Sequence, residues 1–300
     1  MDENVGAIPC GRPDEGRHEA LPLLAPVWAI VLNWNRAADT RRCVESLQAS
    51  DYAAVRVLVV DNGSAPDQSA ELRHTLSDDV QLIRSPTNLG FGAGNNLGIQ
   101  SALEQGAAYV LLCNNDTIVD TSMIGLVVRA MDADPSIGIA GPIVYYLNEP
   151  TCVWLAGYRF HGRFYAVPSG LHLKPPLRPV EPVDFVSGCG MFIQREMVQQ
   201  IGMFSPDFFM YCEDLDLCLR AQRAGWKIAC VTDAKMWHQV SASLGGALSL
   251  RKQYHQIRSS WIVYRRHTRG IMLIANMGFR LIHSLYILVR RLWHRMVNIR

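Results

Sequence analysis

The chain has 300 residues, of which 49% are hydrophobic. This is enough for a substantial core, and the length fits one large domain with an appendage or two small domains. The formal net charge of +2 hides an asymmetry, because residues 251–300 contain no Asp or Glu while the rest of the chain is net acidic. The eight cysteines form no C-x-x-C pair, which argues against a zinc site.

The first half of the chain alternates apolar strands with helices. Residues 1–25 are rich in Gly, Pro and charge and predict a disordered leader without the features of a signal peptide. Predicted strands at 27–32, 55–60, 80–84 and 109–112 are separated by predicted helices at 38–49, 68–76 and 90–105. This order predicts an α/β fold with a Rossmann-like, mostly parallel sheet that carries helices on both faces.

Acidic motifs follow two of these predicted strands. Asp61 begins the motif Asp-Asn-Gly-Ser, and Asp116 ends the motif Asn-Asn-Asp. In open α/β sheets ligands bind at the carboxyl ends of the strands, so these motifs predict a binding edge. Ordinary Asx turns after strands are the alternative for both motifs.

The second half has a different pattern. Strands are predicted at 137–146, 153–165, 185–193 and 226–231, with a proline-rich surface loop at 168–182. Glu213, Asp214 and Asp216 fall at the start of a helix predicted over 214–224, directly after an apolar segment. One carboxylate is expected to face a pocket as a general base, another to cap backbone N–H groups, and the third to pair with an arginine such as Arg220. Simple capping by acids is the alternative.

Six segments, in order, resemble the inverting, nucleotide-sugar-dependent glycosyltransferases of family 2, which have the GT-A fold. The resemblance covers residues 26–240 and is nearest to bacterial rhamnosyltransferases that build cell-surface polysaccharides. It rests on the segments 31–35, 61–64, 88–96, 114–116, 187–190 and 213–218.

The resemblance implies a role for each motif. Asp214 would be the catalytic base with Glu213 beside it. Asp116 and His238 would hold a divalent cation, Mg or Mn, although an isolated histidine is more often structural. The family's first acidic metal position is Asn114 here, which we expect to contact the ribose instead. Small residues would admit the acceptor sugar at Gly188, Cys189 and Gly190.

The nucleotide of the donor would be bound by polar side chains that follow the first strands. Helix capping is an equal alternative for two of these side chains, Asn88 and Asn95, and the nearby glycines either approach the nucleotide or pack helix on sheet. Trp34 is predicted to lie in the core. The expected nucleotide-sugar-binding residues are Asn33, Asn35, Asp61, Asn88, Asn95 and Asn114.

The basic C-terminal segment is predicted to form helices at 249–267 and 271–294. The second has polar residues such as Asn276, Arg280 and His283 on one side and leucines such as Leu281 and Leu285 on the other. We expect it to lie on the anionic inner face of the plasma membrane rather than to span it. Packing on the catalytic domain or in a homodimer interface is the alternative, and nucleic acid is the weaker explanation of the charge.

The sequence therefore predicts a leader at 1–25, a GT-A catalytic domain at 26–245 and a basic helical extension at 246–300. The predicted protein is a cytoplasmic, peripheral membrane glycosyltransferase. It would transfer a sugar from dTDP-rhamnose or a UDP-sugar to a glycan or lipid-linked acceptor. Two rival hypotheses are a sugar-nucleotide nucleotidyltransferase, whose Gly-rich basic signature is missing at 33–36, and a non-catalytic nucleotide-sugar- or glycan-binding protein.

Overall fold

A computed structural model describes residues 24–160, 162, 165, 173, 176–240 and 250–297. Nearly all of the predicted leader therefore lies outside the described residues. So do part of the predicted loop at 168–182 and the predicted boundary at 245–246. The described residues form one mixed sheet covered by helices, followed by a pair of C-terminal helices.

The strands are short and mostly buried. They are β1 Val27–Asn33, β2 Val55–Asn62, β3 Gln81–Ser85, β4 Tyr109–Asn114, β5 Thr117–Val119, β6 Ile137–Tyr146, β7 Val153–Leu155, β8 Val180–Val183, β9 Gly190–Gln194 and β10 Lys227–His238. The helices are α1 Ala37–Gln48, α2 Pro66–Thr75, α3 Phe91–Glu104, α4 Met123–Ala133, α5 Arg195–Ile201, α6 Glu213–Arg223, α7 Leu250–His267 and α8 Ile271–Val297.

The sheet has a core on each face, and β1 shows why. Successive side chains of a strand point to opposite faces. Trp28 and Ile30 accordingly belong to one buried cluster, whereas Val27, Ala29 and Val31 belong to the other. An apolar run with no polar alternation is therefore the pattern of a strand covered on both faces, as the sequence predicts.

The sheet order places the ends of the strands that carry polar motifs next to one another. The order is β3-β2-β1-β4-β9-β6-β10-β5, with β7 beside β6 and β8 beside β10. The strands β3, β2, β1 and β4 are parallel, as predicted from the first half of the chain. Antiparallel pairing of β9 with β4 and of β5 with β10 makes the complete sheet mixed.

Three of the predicted strands differ by several residues in the structure, and the one predicted at 185–193 begins only at Gly190, as β9. Of the strand predicted at 153–165, the described residues form only β7, and the chain turns soon afterwards at Gly157, whose φ is +68°. The strand predicted at 226–231 instead continues through a register irregularity between Val231 and Lys235, as far as His238. Such an irregularity lets a strand change direction without ending, which periodicity alone does not reveal.

The C-terminal helices pack on the core beside the sheet through α7 and the first turns of α8. Leu273 and Met277 contact the core, and Asn276 is buried with its Oδ1 accepting a bond from the backbone N–H of Tyr165. Beyond these turns Leu281 and Leu285 are exposed. None of the helices in the described part of the chain has the length and apolar character that crossing a bilayer requires.

Candidate active site

A cavity of about 780 Å³ opens at the carboxyl ends of the central strands. Its walls come from the loop after β4, the end of β10, the turn before β9, the start of α6 and the C-terminal helices. Eight of the residues predicted for the site line it: Asn88, Asn114, Asp116, Gly188, Cys189, Glu213, Asp214 and His238.

Asp116 and His238 form the polar centre of the sheet-side wall. Nε2 of His238 lies 3.1 Å from Oδ1 of Asp116 and 3.4 Å from Nδ2 of Asn114. Burial opposes protonation of the imidazole, but Cys189 and the Asp116 carboxylate favour it, and together they raise the pKa of His238 to about 10. The wall therefore presents a buried carboxylate–imidazole pair to the cavity.

The opposite wall carries Glu213 and Asp214 at the start of α6. The two residues before them, Tyr211 and Cys212, both have left-handed backbones, with φ of +69° and +64°. Non-glycine residues adopt this conformation at a cost in free energy, and such residues cluster at functional sites. The turn they make brings the first residues of α6 to the cavity wall.

Backbone amides hold the carboxylate of Asp214. Its Oδ2 accepts a bond of 3.1 Å from the N–H of Gly188, and its Oδ1 accepts one of 2.9 Å from the N–H of Leu215. A Cβ at Gly188 would lie 3.0 Å from carbon atoms of the Phe91 ring, so only a glycine fits here without a shift. Two backbone N–H groups therefore orient the carboxylate of Asp214.

Burial changes the acidity of both neighbouring carboxyls. Desolvation raises the pKa of Glu213 well above its ordinary value, and the nearby charge of Asp214 raises it further. Desolvation also raises the pKa of Asp214, whereas the bonds from Gly188 and Leu215 oppose that rise. Oε2 of Glu213 has no hydrogen-bond partner among the described residues, so this carboxyl is the less stabilised of the two as an anion.

The glycine-rich loop before α3 contacts the segment that leads into α6. The backbone N–H of Phe91 donates to the carbonyl of Phe209 at 2.8 Å. Gly90 has φ of +86°, and a Cβ there would lie 2.1 Å from the same carbonyl oxygen. Gly94 and Gly98 contact Leu32 and Ile30, so these two glycines pack helix on sheet, as one of the two alternatives predicts.

Five of the predicted site residues do not line the cavity: Asn33, Asn35, Asp61, Asn95 and Gly190. Asn33 and Asp61 are fully buried and share a network with Ser64 and Thr40. Asn35 accepts a bond from the N–H of Ala65. The position of Gly190 is governed by packing, because a Cβ there would lie 2.2 Å from the Sδ of Met236. The described contacts of Asn33 and Asp61 stabilise the loops that follow β1 and β2.

This arrangement brings together a carboxylate that can accept a proton and a carboxylate–imidazole pair that can bind a cation. The family model described as "Glycosyltransferase like family 2" matches residues 25–272, which is most of the chain. The chain belongs to glycosyltransferase family 2. The family predicted from the six segments is therefore confirmed, and with it the class of enzyme, a glycosyltransferase.

Curated relatives of this family 2 member include a hexosyltransferase and two rhamnosyltransferases. A low-salt glycan biosynthesis hexosyltransferase of Haloferax volcanii, Agl10, is 29% identical over 65% of this chain and 61% of its own length. The N-acetylglucosaminyl-diphospho-decaprenol L-rhamnosyltransferase of Mycobacterium tuberculosis is 27% identical over 72% of this chain and 76% of its own length. The dTDP-rhamnosyl transferase RfbF of Shigella flexneri is 24% identical over 77% of this chain and 78% of its own length.

Solved structures show that this family 2 member has the GT-A fold, as predicted. GalNAc-T7, crystallised with UDP, GalNAc and Mn²⁺, superposes with a TM-score of 0.61 at 16% identity, over 81% of this chain and 48% of that one. The mannosyltransferase PcManGT from Pyrobaculum calidifontis, in complex with GDP-Man and Mn²⁺, gives a TM-score of 0.59 at 16% identity. The second match covers 90% of this chain and 76% of that one.

Some residues that line the cavity of this glycosyltransferase were not predicted from the sequence. Arg36 and Asn62 directly follow predicted site residues, so their position beside a motif is the signal that could have found them. Lys252 and Arg280 come from the C-terminal helices, and no local motif marks them. Trp34 is only partly buried and lines the cavity, so its prediction as a core residue is wrong.

Proposed function

We propose that the protein is an inverting glycosyltransferase that moves a sugar from a nucleotide-sugar donor to a glycan or lipid-linked acceptor by single displacement. The observation that carries this proposal is that Asp214 lines the same cavity as the Asp116–His238 pair. The first group suits a proton acceptor, and the second suits the diphosphate side of the donor. A direct displacement needs no covalent intermediate, so one carboxylate base is enough.

Asp214 is the general base of this proposal. An acceptor hydroxyl has a high pKa, so the carboxylate must accept its proton while the new glycosidic bond forms. The amides of Gly188 and Leu215 orient the carboxylate, and each oxygen keeps a lone pair for the hydroxyl. Burial raises the pKa of Asp214, which makes it a stronger base than an exposed aspartate once it is ionised.

Asp116 and His238 would hold a divalent cation, Mg or Mn, that neutralises charge on the leaving diphosphate. The residues fit this role if the imidazole releases its proton as the cation binds, because a carboxylate oxygen and an imidazole nitrogen lie 3.1 Å apart at the cavity wall. No cluster of three or more candidate protein ligands occurs within the described ranges. Most of the cation's coordination would therefore come from phosphate oxygens and water. Asn114 lies beside the pair for a contact with the ribose or a phosphate.

For the donor we propose dTDP-rhamnose first and a UDP-sugar second. Two of the relatives carry rhamnosyl transfer in their names, and one names dTDP-rhamnose chemistry directly. Arg36 and Asn88 line the cavity for contacts with the nucleotide, whereas Asn62 is buried and donates its amide hydrogens to Asn88 and Gly90. For the acceptor, the relative that acts on a diphospho-decaprenol derivative supports a lipid-linked glycan.

We further propose that the protein binds the cytoplasmic face of the plasma membrane through α8. The polar Asn276 of this helix faces the protein, whereas Ile282 and Leu285 are 71% and 61% exposed. This distribution is the reverse of that on a surface helix in water. Since residues 251–300 contain no acidic residue, anionic lipid headgroups are the complementary surface.

The substitution Asp214→Asn tests the proposed function. It keeps the shape of the side chain but removes the base, so we expect transfer to fall by about 10²- to 10⁴-fold while the affinity for the donor stays the same. Asp207→Asn, at an exposed position in the loop before α6, is the matched control and should leave transfer unchanged. Transfer at the wild-type rate by Asp214→Asn would refute the assignment of the base. A protein that binds nucleotide sugars but transfers nothing to any acceptor would be a binding protein instead.

A further inference from the structure

The cavity does not end at Asp214 but continues between the C-terminal helices. Lys252 and Gln256 of α7 and Phe279, Arg280 and His283 of α8 form this far end. Lys252 and Arg280 give it a basic character. It is therefore chemically different from the acidic region around Glu213 and Asp214, although both belong to one continuous space.

Arg280 is the central cation of this end. Its guanidinium donates to Oε1 of Gln256 at 2.8 Å, and its Nε is buried without a hydrogen-bond partner among the described residues. None of the ion pairs within the described part of the chain involves Arg280. Burial lowers the pKa of Arg280 and that of Lys252, which means that the site holds positive charge at a cost. A buried cation of this kind is stabilised by an anionic ligand.

The basic end lies close to the proposed base. Cys212, two residues before Asp214, has its Sγ 3.8 Å from the hydroxyl of Ser260 on α7. Burial and the charge of Asp214 together raise the pKa of the Cys212 thiol to about 12, against the opposing effects of the Ser260 hydroxyl and the charge of Arg280. Cys212 is thus within electrostatic reach of both groups. Asp214 and Arg280 also line the same cavity, so the base and the basic end face one continuous space.

We infer that the far end is a phosphate subsite, in which Arg280 and Lys252 bind the diphosphate of a lipid-linked acceptor. This inference rests on the proposed function and names the chemistry of its acceptor. Guanidinium groups bind phosphate oxygens in pairs, and the Nε of Arg280 supplies one of the donors for such a contact. The donor's diphosphate belongs at the other wall, beside Asp116 and His238.

The apolar surface of α8 explains why the phosphate is that of a lipid. Phe279, Arg280, Ile282 and His283 lie within five consecutive positions of the helix, so the basic end of the cavity borders its exposed apolar face. A lipid whose headgroup enters between α7 and α8 would leave its hydrocarbon chain on that face. A free phosphate has no hydrocarbon chain, so the apolar face of α8 adds nothing to its binding free energy.

Binding of farnesyl diphosphate to the full-length protein, measured by calorimetry with EDTA present, tests the subsite. EDTA removes the cation that the donor side needs for a diphosphate, so the measured binding reports the far end. We expect Arg280→Gln to weaken binding by about 10- to 100-fold, the range for a lost charged hydrogen bond. Arg280→Lys should keep part of the affinity. Arg265→Gln, which removes the same charge from an exposed position of α7, should change little.

Each other outcome has a definite meaning. Equal affinity of the wild type and a folded Arg280→Gln variant would overturn the subsite, and the melting temperature of Arg280→Lys shows whether the position tolerates change. Inorganic pyrophosphate bound as tightly as farnesyl diphosphate would overturn the assignment to a lipid, and farnesol bound as tightly would overturn the role of the phosphate. Asp214→Asn should bind farnesyl diphosphate like the wild type. Failure of the subsite and failure of the proposed base are therefore distinguished.

Discussion

Nε2 of His267, at the end of α7, lies 2.8 Å from Oδ1 of Asp216 in the first turn of α6. Both side chains are buried, and Oδ2 of Asp216 accepts a 2.9 Å bond from Nε of Arg220, which confirms the predicted pairing with Arg220. Asp216 therefore joins the C-terminal helices to the helix that carries Asp214. The partners lower the pKa of Asp216 although desolvation opposes them, so this carboxylate is stable as an anion.

The first prediction is that His267→Ala destabilises the protein by about 1–3 kcal/mol, because Asp216 loses a buried partner. Asp207→Ala, which removes the exposed partner of Arg266, should have a much smaller effect. Urea unfolding of both variants measures the difference. Since the folded pKa of Asp216 is lowered, its contribution is present above its unfolded pKa and is lost as the pH falls through the folded value. Equal free energies of unfolding for His267→Ala and Asp207→Ala would show that the buried Asp216–His267 pair does not stabilise the packing of α7 on α6.

The second prediction concerns Glu213, whose buried carboxyl has no partner for Oε2 among the described residues. The pKa of Glu213 is raised in the folded state. The contribution of Glu213 to stability is therefore fully present below its unfolded pKa of about 4.3 and is lost as the pH rises through the folded value. We expect Glu213→Gln to stabilise the protein by about 1–3 kcal/mol at pH 8 and by little at pH 4. Thermal unfolding across this pH range measures the effect. A stabilisation of the same size at both pH values would mean that its cause is not ionisation.

The third prediction is that Gly188→Ala lowers the rate of transfer more than the affinity for the donor. The added Cβ meets the Phe91 ring at 3.0 Å and lies 3.6 Å from the Cβ of Asp214, so it displaces one or both. We expect a fall in kcat of about tenfold or more, because small shifts of a catalytic group are costly. Gly278→Ala, in α8 with open space around it, should keep full activity. An unchanged kcat for Gly188→Ala would show that this contact does not position the base.

The fourth prediction is that Mn²⁺ strengthens binding of dTDP or UDP to the wild type and that Asp116→Asn loses this enhancement. The substitution removes the carboxylate of the proposed cation site. The factor by which Mn²⁺ strengthens nucleotide binding should therefore fall by about tenfold or more. Calorimetric titration of the nucleotide at increasing Mn²⁺ concentration measures it. Asp233→Asn, an exposed carboxylate on the same sheet, is the control. A retained enhancement would remove Asp116 from the set of proposed ligands.

The fifth prediction is that the double substitution Ile282→Glu and Leu285→Glu reduces binding to vesicles that contain anionic lipid. Both side chains are exposed, and charge there opposes entry into the headgroup region, so we expect a loss of about tenfold or more. Flotation of the protein with vesicles measures the bound fraction. Leu24→Glu changes an equally apolar exposed residue far from α8 in the sequence and should bind normally. Full binding by the double variant would point to a protein partner for this face.

The parts of the fold that depend on local pattern could be predicted from the sequence. The strands β1 and β4 are apolar up to their last residue, and β2 has an apolar run from Val57 to Val60. The polar motifs after β4 and at the start of α6 mark the cavity walls. The continuation of β10 to His238 could not be found in this way, because the irregularity after Val231 breaks the period. Which face of α8 points inward depends on its contact with the segment around Tyr165, and periodicity shows two faces without saying which is buried.

The site shows the same division between local and distant information. Asp116, Asp214 and Gly188 lie in motifs with a chemical reason for their spacing, and they line the cavity. Asn33 and Asp61 lie in equally good motifs, yet their side chains are used in a buried network near the first strand. A sequence motif identifies the loop but not the direction of each side chain. Lys252 and Arg280 reach the site only because α7 and α8 fold back over it.

If the exposed leucine and isoleucine side chains of α8 hold the enzyme at the membrane, it would meet a membrane-bound acceptor more often. A catalyst held at a surface searches for its partner in two dimensions, and its effective concentration there far exceeds its average in the cell. Affinity for the acceptor itself could then be modest. Under that arrangement, an assay in dilute aqueous buffer would understate the enzyme's turnover, whereas the same amount of protein on vesicles would recover it.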